Sequence, residues 1–181
     1  MQKLAIDSST ELGRILVNAV QPADLPPHRR AYQLFRVEAP EITPGKTRSI
    51  SHLCTTDVCF AALQTLSEGG ESRMHSHAAM DGFWMVLKGR AVFLSPGGEA
   101  FRLGPMEGIM IPRGVPYSFH QEGEEQLNIL QIEMLHARAR RNTYTSYGEA
   151  CSEEHIARAQ AQVDFYDARH RTVPVDGPAA S

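Results

Sequence analysis

The sequence has no run of eighteen apolar residues, the least a membrane-spanning helix needs, so no transmembrane helix is expected. Its first stretch, MQKLAIDSSTELGR, holds no long apolar segment, and no secretory signal is expected either. Positive charge is also short: 18 Lys and Arg stand against 21 Asp and Glu, a formal net charge of −3. An acidic chain lacks the attraction behind nonspecific binding to nucleic acid or anionic membrane. Neither is expected as a partner. Cysteine is scarce, with only Cys54, Cys59 and Cys151. An odd number without a leader favours reduced thiols and a cytoplasmic location. Cys54 and Cys59 are too isolated for a zinc ribbon and read as small core residues. There is no internal repeat and no long low-complexity tract. The segment ahead of the main body is too short for a helix-turn-helix.

What is present is a chain of 181 residues, 42% hydrophobic and 22% charged, the composition of a soluble domain with a real core. Ser8-Ser9-Thr10-Glu11 has capping-box spacing. Leu12, Ile15, Leu16 and Ala19 then recur at helical spacing, which predicts a helix from Ser9 to Val20. QPADLPPHRR, with three prolines in ten residues, ends it. Residues 1–30 are thus expected to be a helical arm and linker. From 31 to 138 the text changes to short apolar runs. YQLFRVE, DVCFAALQTL, GFWMVLKG, RAVFLS, EAFRL, GIMIP, YSFHQ and QLNILQIEM each read as strands. The glycine- and proline-bearing turns between them imply an antiparallel sandwich or small barrel. Residues 139–181 are expected to be a helix from Glu153 to Arg169, capped by Ser152, and a tail.

The chemistry centres on HSHAAMDGFWMVLKG, residues 75–89. His75 and His77 lie at i and i+2, so on a strand both imidazoles share a face and can reach one ion while Ser76 points away. Arg73 falls on the same face. Neutral imidazole suits first-row metals, and a carboxylate would complete a facial triad with open positions. Asp81 is the nearest acid. Asp81-Gly82 is also an ordinary turn dipeptide, so both roles stay open for it.

Together these features resemble the cupin superfamily, whose first motif is G-x5-H-x-H-x3,4-E-x6-G. Gly69, His75, His77 and Gly89 fill it here. Seven residues before Gly89 the glutamate position holds Gly82. Asp81 is one step out of register, and one step on a strand turns a side chain to the other face unless a bulge intervenes. The second motif, G-x5-P-x-G-x2-H-x3-N, is matched at Pro112-Arg113-Gly114. Met106 stands for its glycine, Tyr117 for its histidine and Gln121 for its asparagine. His120 has the wrong parity to join Tyr117. The resemblance covers residues 45–135 and implies an all-β, cupin-type antiparallel β-barrel (jelly-roll), here with an N-terminal helical arm and a C-terminal helix.

The resemblance implies a site with two of the usual four ligands. Three states follow. One is a thin metal site of His75, His77 and Asp81. Another borrows a ligand from a neighbouring strand, such as His52, Cys54 or Gln64. The third has no metal and uses a histidine with Tyr117 for acid–base work. The paired spacing favours a divalent metal: iron, zinc, manganese or nickel. The expected protein is a metal-dependent cupin enzyme acting on a small organic molecule, anionic or aromatic, by oxygenase or Lewis-acid chemistry. Tyr117 would give a proton or hydrogen bond, and Arg73 would hold an anionic group. Trp84, Val86 and Phe119 share the inward parity. The alternatives are the metal-free enzyme and a small-molecule binder without turnover. The resemblance also implies a homodimer.

Overall fold

A computed structural model describes residues 31–68, 70–136, 144–146 and 163–174. The helix expected at residues 9–20, and the part of the second expected helix before residue 163, lie outside them. The chain divides into two units, residues 34–171, and residues 1–33 with 172–181. The site belongs to the first.

Thirteen strands are described: β1 (Ala31–Phe35), β2 (Arg48–Thr55), β3 (Cys59–Leu66), β4 (His75–His77), β5 (Met80–Lys88), β6 (Ala91–Leu94), β7 (Ala100–Leu103), β8 (Gly108–Ile111), β9 (Ser118–Gln121), β10 (Leu127–Leu135), β11 (Tyr144–Ser146), β12 (Val163–Asp167) and β13 (Arg169–Pro174). A six-stranded sheet runs β12-β2-β3-β10-β5-β8, and a three-stranded sheet runs β7-β6-β9. Two small sheets pair β11 with β4 and β1 with β13. The all-β expectation holds, since no helix occurs among the described residues. Two parts of it need correction. Among the described residues the hydrogen-bonded ladders do not close into one barrel, and β12 runs parallel to β2.

The second expected helix is corrected where it can be seen. Val163–Asp167 is a strand, paired with Arg48–His52. Ile156, Ala159, Val163 and Tyr166 do fit a helical period, but VDFYD also has the β-branched and aromatic content of a strand. Pairing with the open edge of β2 gives its backbone groups partners, and that tertiary gain overrides a weak local preference.

The core lies where the two larger sheets face each other. Leu66, Trp84, Val86, Ile111, Leu127 and Ile129 come from one sheet, Ala91, Phe93 and Phe119 from the other, and Tyr117 from the turn before β9. β10 explains itself by parity: Leu127, Ile129, Gln131 and Glu133 point inward, with half-buried residues between them. β5 does the same with Trp84 and Val86. On the outer face of the large sheet Leu53, Ala61 and Leu63 form a second cluster with Leu87, Leu130 and Ile132.

The closing glycine of the first motif has a conformational reason. Gly89 sits at φ 75°, and a Cβ there would come within 2.7 Å of the Gln126 carbonyl oxygen. Gly89→Ala is expected to cost about 2 kcal/mol or more, from the left-handed backbone and the contact together. Urea unfolding checks this; a cost under about 0.5 kcal/mol would show that the β5–β6 turn relaxes freely.

Candidate metal and acid–base site

β4 is only three residues long, yet it is tied down on two sides. His75 and Tyr117 exchange both backbone hydrogen bonds at 2.9 Å. On the other side, His75–His77 pair with Ser146–Tyr144. The P-x-G turn closes over it, with the Gly114 amide donating to the His77 carbonyl at 2.8 Å. The two motifs are thus brought together by backbone hydrogen bonds, which fixes where the imidazoles start.

His75 is buried, and its Nδ1 lies 2.6 Å from the Arg73 carbonyl. A carbonyl only accepts, so Nδ1 carries the proton and the lone pair is on Nε2. This is the arrangement that orients an imidazole as an Nε2 ligand. The rings of His75 and His77 stand edge-on at 5.2 Å, and the Tyr117 ring lies 4.4 Å from His75. His77 is half-buried, and its Nε2 is 3.5 Å from Glu133 Oε1.

Burial pushes His75 from 6.5 down to about 4. The hydrogen bond to Arg73 opposes this, and the charges of His77 and Arg48 add to it. Between those two values the unfolded chain holds the extra proton, so folding stability falls as pH falls through this window. The whole effect is on the order of 3 kcal/mol at most. Metal-free protein should therefore lose stability to urea between pH 7 and pH 4, and His75→Gln should flatten that loss. An equal slope in both would assign the loss to other groups.

Glu133 belongs to a polar ladder on the inner face. Gln64 Nε2 donates to Gln131 Oε1, and Gln131 Nε2 donates to Glu133 Oε1, both at 2.6 Å. In register, Glu133 lies directly opposite Gly82 on β5. A small pocket of about 10 Å³ opens there, lined by His77, Met80, Gly82, Ile111, Pro112, Val115, Tyr117 and Glu133. It has room for roughly one water molecule. Beside it, Trp84 Nε1 is buried with no hydrogen-bond partner, and a Cβ at Gly82 would stand 3.2 Å from it.

The other expected residues fall as follows. The Asp81 carboxylate accepts from the Arg113 amide at 2.8 Å and from Arg113 Nη1 at 3.1 Å. β5 and β10 stay in step from residue 80 to 86, with their only register shift at Asn128/Ile129. No bulge turns Asp81 inward, and it fastens the P-x-G turn to β5 instead. Arg73 is exposed just ahead of β4 and does not line the pocket; its carbonyl is what meets His75. The cation nearer the core is Arg48, 5.7 Å over the Phe119 ring and bonded through its guanidinium to the Gly70 carbonyl. Of the candidates for a borrowed ligand, Gln64 ends the polar ladder. His52 stacks on Phe60 at 5.2 Å, and Cys54 packs on the outer cluster. His120 faces away from Tyr117, at a surface groove with Glu68 and Glu71. Glu133, Gln131 and Arg48 were not singled out from the sequence. The available signal was parity: two polar residues continue the inward stripe begun by Leu127 and Ile129.

The donor chemistry fits a divalent ion. Bonds of about 2.1 Å to one ion put neighbouring ligand atoms about 3.0–3.4 Å apart, at octahedral or tetrahedral angles. The His77–Glu133 separation of 3.5 Å is close to that edge and longer than an ordinary N–H···O bond. The donors approach in pairs: among the described residues no three His, Cys, Asp or Glu side chains already meet at one point.

Comparison with known proteins agrees with this architecture. Residues 62–133 match the family model for the cupin domain, and the chain carries a cupin domain there. A Klebsiella pneumoniae protein with a double-stranded β-helix domain is 15% identical, with a TM-score of 0.50 over 57% of this chain and 81% of its own. A sugar phosphate isomerase from a cupin superfamily, from Silicibacter pomeroyi, is 21% identical, with a TM-score of 0.45 over 50% of this chain and 57% of its own. A cupin superfamily protein from Desulfitobacterium hafniense is 20% identical, with a TM-score of 0.46 over 55% and 84%. At these identities the likeness concerns the fold alone. No curated protein matches the chain by sequence.

Proposed function

We propose that this chain is a metal-dependent cupin enzyme acting on a small organic molecule, anionic or aromatic, with His75 and His77 among the ligands. The observation that carries the reading is the 3.5 Å approach of His77 Nε2 to a carboxylate, beside a second imidazole whose tautomer is already set. When bound, the ion supplies either a site for oxygen or the Lewis acidity that polarises a carbonyl. The chain's own residues do the rest. Tyr117 lines the pocket, so its hydroxyl is the group to hydrogen-bond or protonate a substrate oxygen. The interior below is filled by Trp84, Phe93 and Phe119. Only the reacting end of a substrate therefore enters, and its body rests on the rim at Met80, Pro112 and Val115. Arg73, exposed two residues ahead of His75, is the cation we assign to an anionic group.

The test is metal content by mass spectrometry on untagged protein, as purified and after reloading with Fe²⁺, Zn²⁺, Mn²⁺ or Ni²⁺. About one ion per chain, lost in His75→Ala/His77→Ala, is expected. No ion in the unsubstituted protein after reloading would sink the reading. A second reading rests on the same contact, with His77 and Glu133 as a base pair and Tyr117 as acid. Turnover that survives complete chelation would favour it. Exposed Leu34, Phe35 and Val37 give the chain an apolar surface suited to a second copy, and a compact monomer in sedimentation would remove the proposed dimer.

A further inference from the structure

We propose that Glu133, on β10, is the carboxylate ligand of this site, in place of the residue that position 82 lacks. The inference rests on the metal-dependent reading and deepens it. Four observations carry it. Glu133 is the residue directly across from Gly82 in the β5–β10 register. Its Oε1 is the carboxylate oxygen that approaches His77 Nε2, at 3.5 Å, close to the edge length of a coordination polyhedron. Gln131 donates to that same oxygen at 2.6 Å, the kind of outer hydrogen bond that orients a ligating carboxylate. Finally, Gly82 leaves the ground between the two strands open: Gly82, His77, Tyr117 and Glu133 line one pocket.

The exchange is mechanical. A side chain at 82 would start 3.2 Å from Trp84 Nε1, beside the pocket that Gly82 and Glu133 line together. One strand has no side chain there, and its cross-strand neighbour brings a carboxylate to the same pocket. Asp81 cannot serve, because its carboxylate is held by the Arg113 amide and guanidinium on the other side of the strand. The ligand set becomes two imidazoles from β4 and one carboxylate from β10, with Trp84 N–H beside it as a donor to a bound water or substrate oxygen.

The experiment titrates Co²⁺ and Zn²⁺ into chelator-stripped protein, read by cobalt absorption and by competition with a chelating dye. Thermal unfolding of each metal-free variant checks the fold. Glu133→Gln keeps the shape and can still accept from Gln131. It is expected to weaken binding more than about 100-fold, beyond what losing an outer partner costs, and to change the cobalt spectrum. Asp81→Asn is expected to bind within about twofold of the parent. Should Glu133→Gln unfold, Glu133→Asp retains the charge, and an affinity weakened about tenfold is expected. Parent-like affinity in the folded Glu133 variant, with binding lost in His75→Ala/His77→Ala, would overturn the assignment of Glu133 and leave the metal-dependent reading intact. Parent-like affinity in Glu133→Gln with loss in Asp81→Asn would move the carboxylate to Asp81. Failure of the unsubstituted protein to bind either metal would overturn the underlying reading instead.

Discussion

Trp84→Ala is expected to lower the free energy of unfolding by about 3–5 kcal/mol, the largest single-residue loss in this fold. Trp84 is 1% exposed, the largest of the fully buried side chains. Its ring centroid lies 4.9 Å from Phe119, 6.0 Å from Phe93 and 6.0 Å from Tyr117. It is therefore the residue where β5 of the large sheet meets β6 and β9 of the small one. Removing it opens a cavity that neighbouring aromatic rings, fixed on separate strands, cannot collapse to fill. One effect works the other way. Its indole N–H has no partner, and an unsatisfied buried donor costs about 1–3 kcal/mol. Trp84→Phe removes that donor while keeping most of the volume, so it should cost far less than Trp84→Ala. Urea unfolding of the three proteins decides this. A loss below about 1 kcal/mol in Trp84→Ala would mean that the two sheets are held together elsewhere.

The same residue shows what a sequence can and cannot disclose. Trp84, Val86 and Phe119 were placed inward by parity alone, and they are buried in one cluster. The strands from β5 to β10 were legible because turns punctuate them and one face of each is apolar. β2 was not, and the reason is physical. RSISHLCT carries Ser49 and Ser51 on one face and Ile50 and His52 on the other, so neither face is an apolar stripe. The sheet and its cover bury it all the same. β12 was misread because VDFYD satisfies two periods, and only a partner strand decides between them. β4 was legible as a pair of histidines but not as three residues held by β11 and Tyr117, since that support comes from distant sequence.

The carboxylate we propose, Glu133, lies beyond the reach of motif spacing. Motif spacing looks along one strand, so it found Gly82 and its neighbour Asp81. The relevant relation is across strands, between Gly82 and a residue fifty-one positions later, and register is set by the sheet. Parity along β10 still marked the place. A strand whose inward face reads Leu127, Ile129, Gln131, Glu133 passes from core to polar lining toward its C-terminal end. Buried polar side chains are expected to be hydrogen-bonded or functional, and two of them in succession are a signal that composition cannot give.

Gln131→Leu should therefore act on both stability and site. Gln131 is 8% exposed, accepts from Gln64 and donates to Glu133. Leucine matches its size and its apolar neighbours in volume, so packing alone predicts little change. The hydrogen bonds predict otherwise. Gln64, whose own Oε1 already lacks a partner, would be left with a buried amide satisfied at neither end. Glu133 would lose the donor that fixes its Oε1. Leaving such groups unpaired costs about 1–3 kcal/mol each, so a loss of roughly 2–4 kcal/mol is expected on urea unfolding of the metal-free protein. The carboxylate, no longer held toward His77, should also bind an ion about 10–100-fold more weakly, the usual consequence of removing an outer hydrogen bond to a ligand. Gln64→Leu/Gln131→Leu separates the two effects. It replaces both amides and should recover much of the stability, but it restores no donor to Glu133, so its metal affinity should stay low. Recovery of both together would mean that the ladder serves packing only, and that Glu133 finds its position without it.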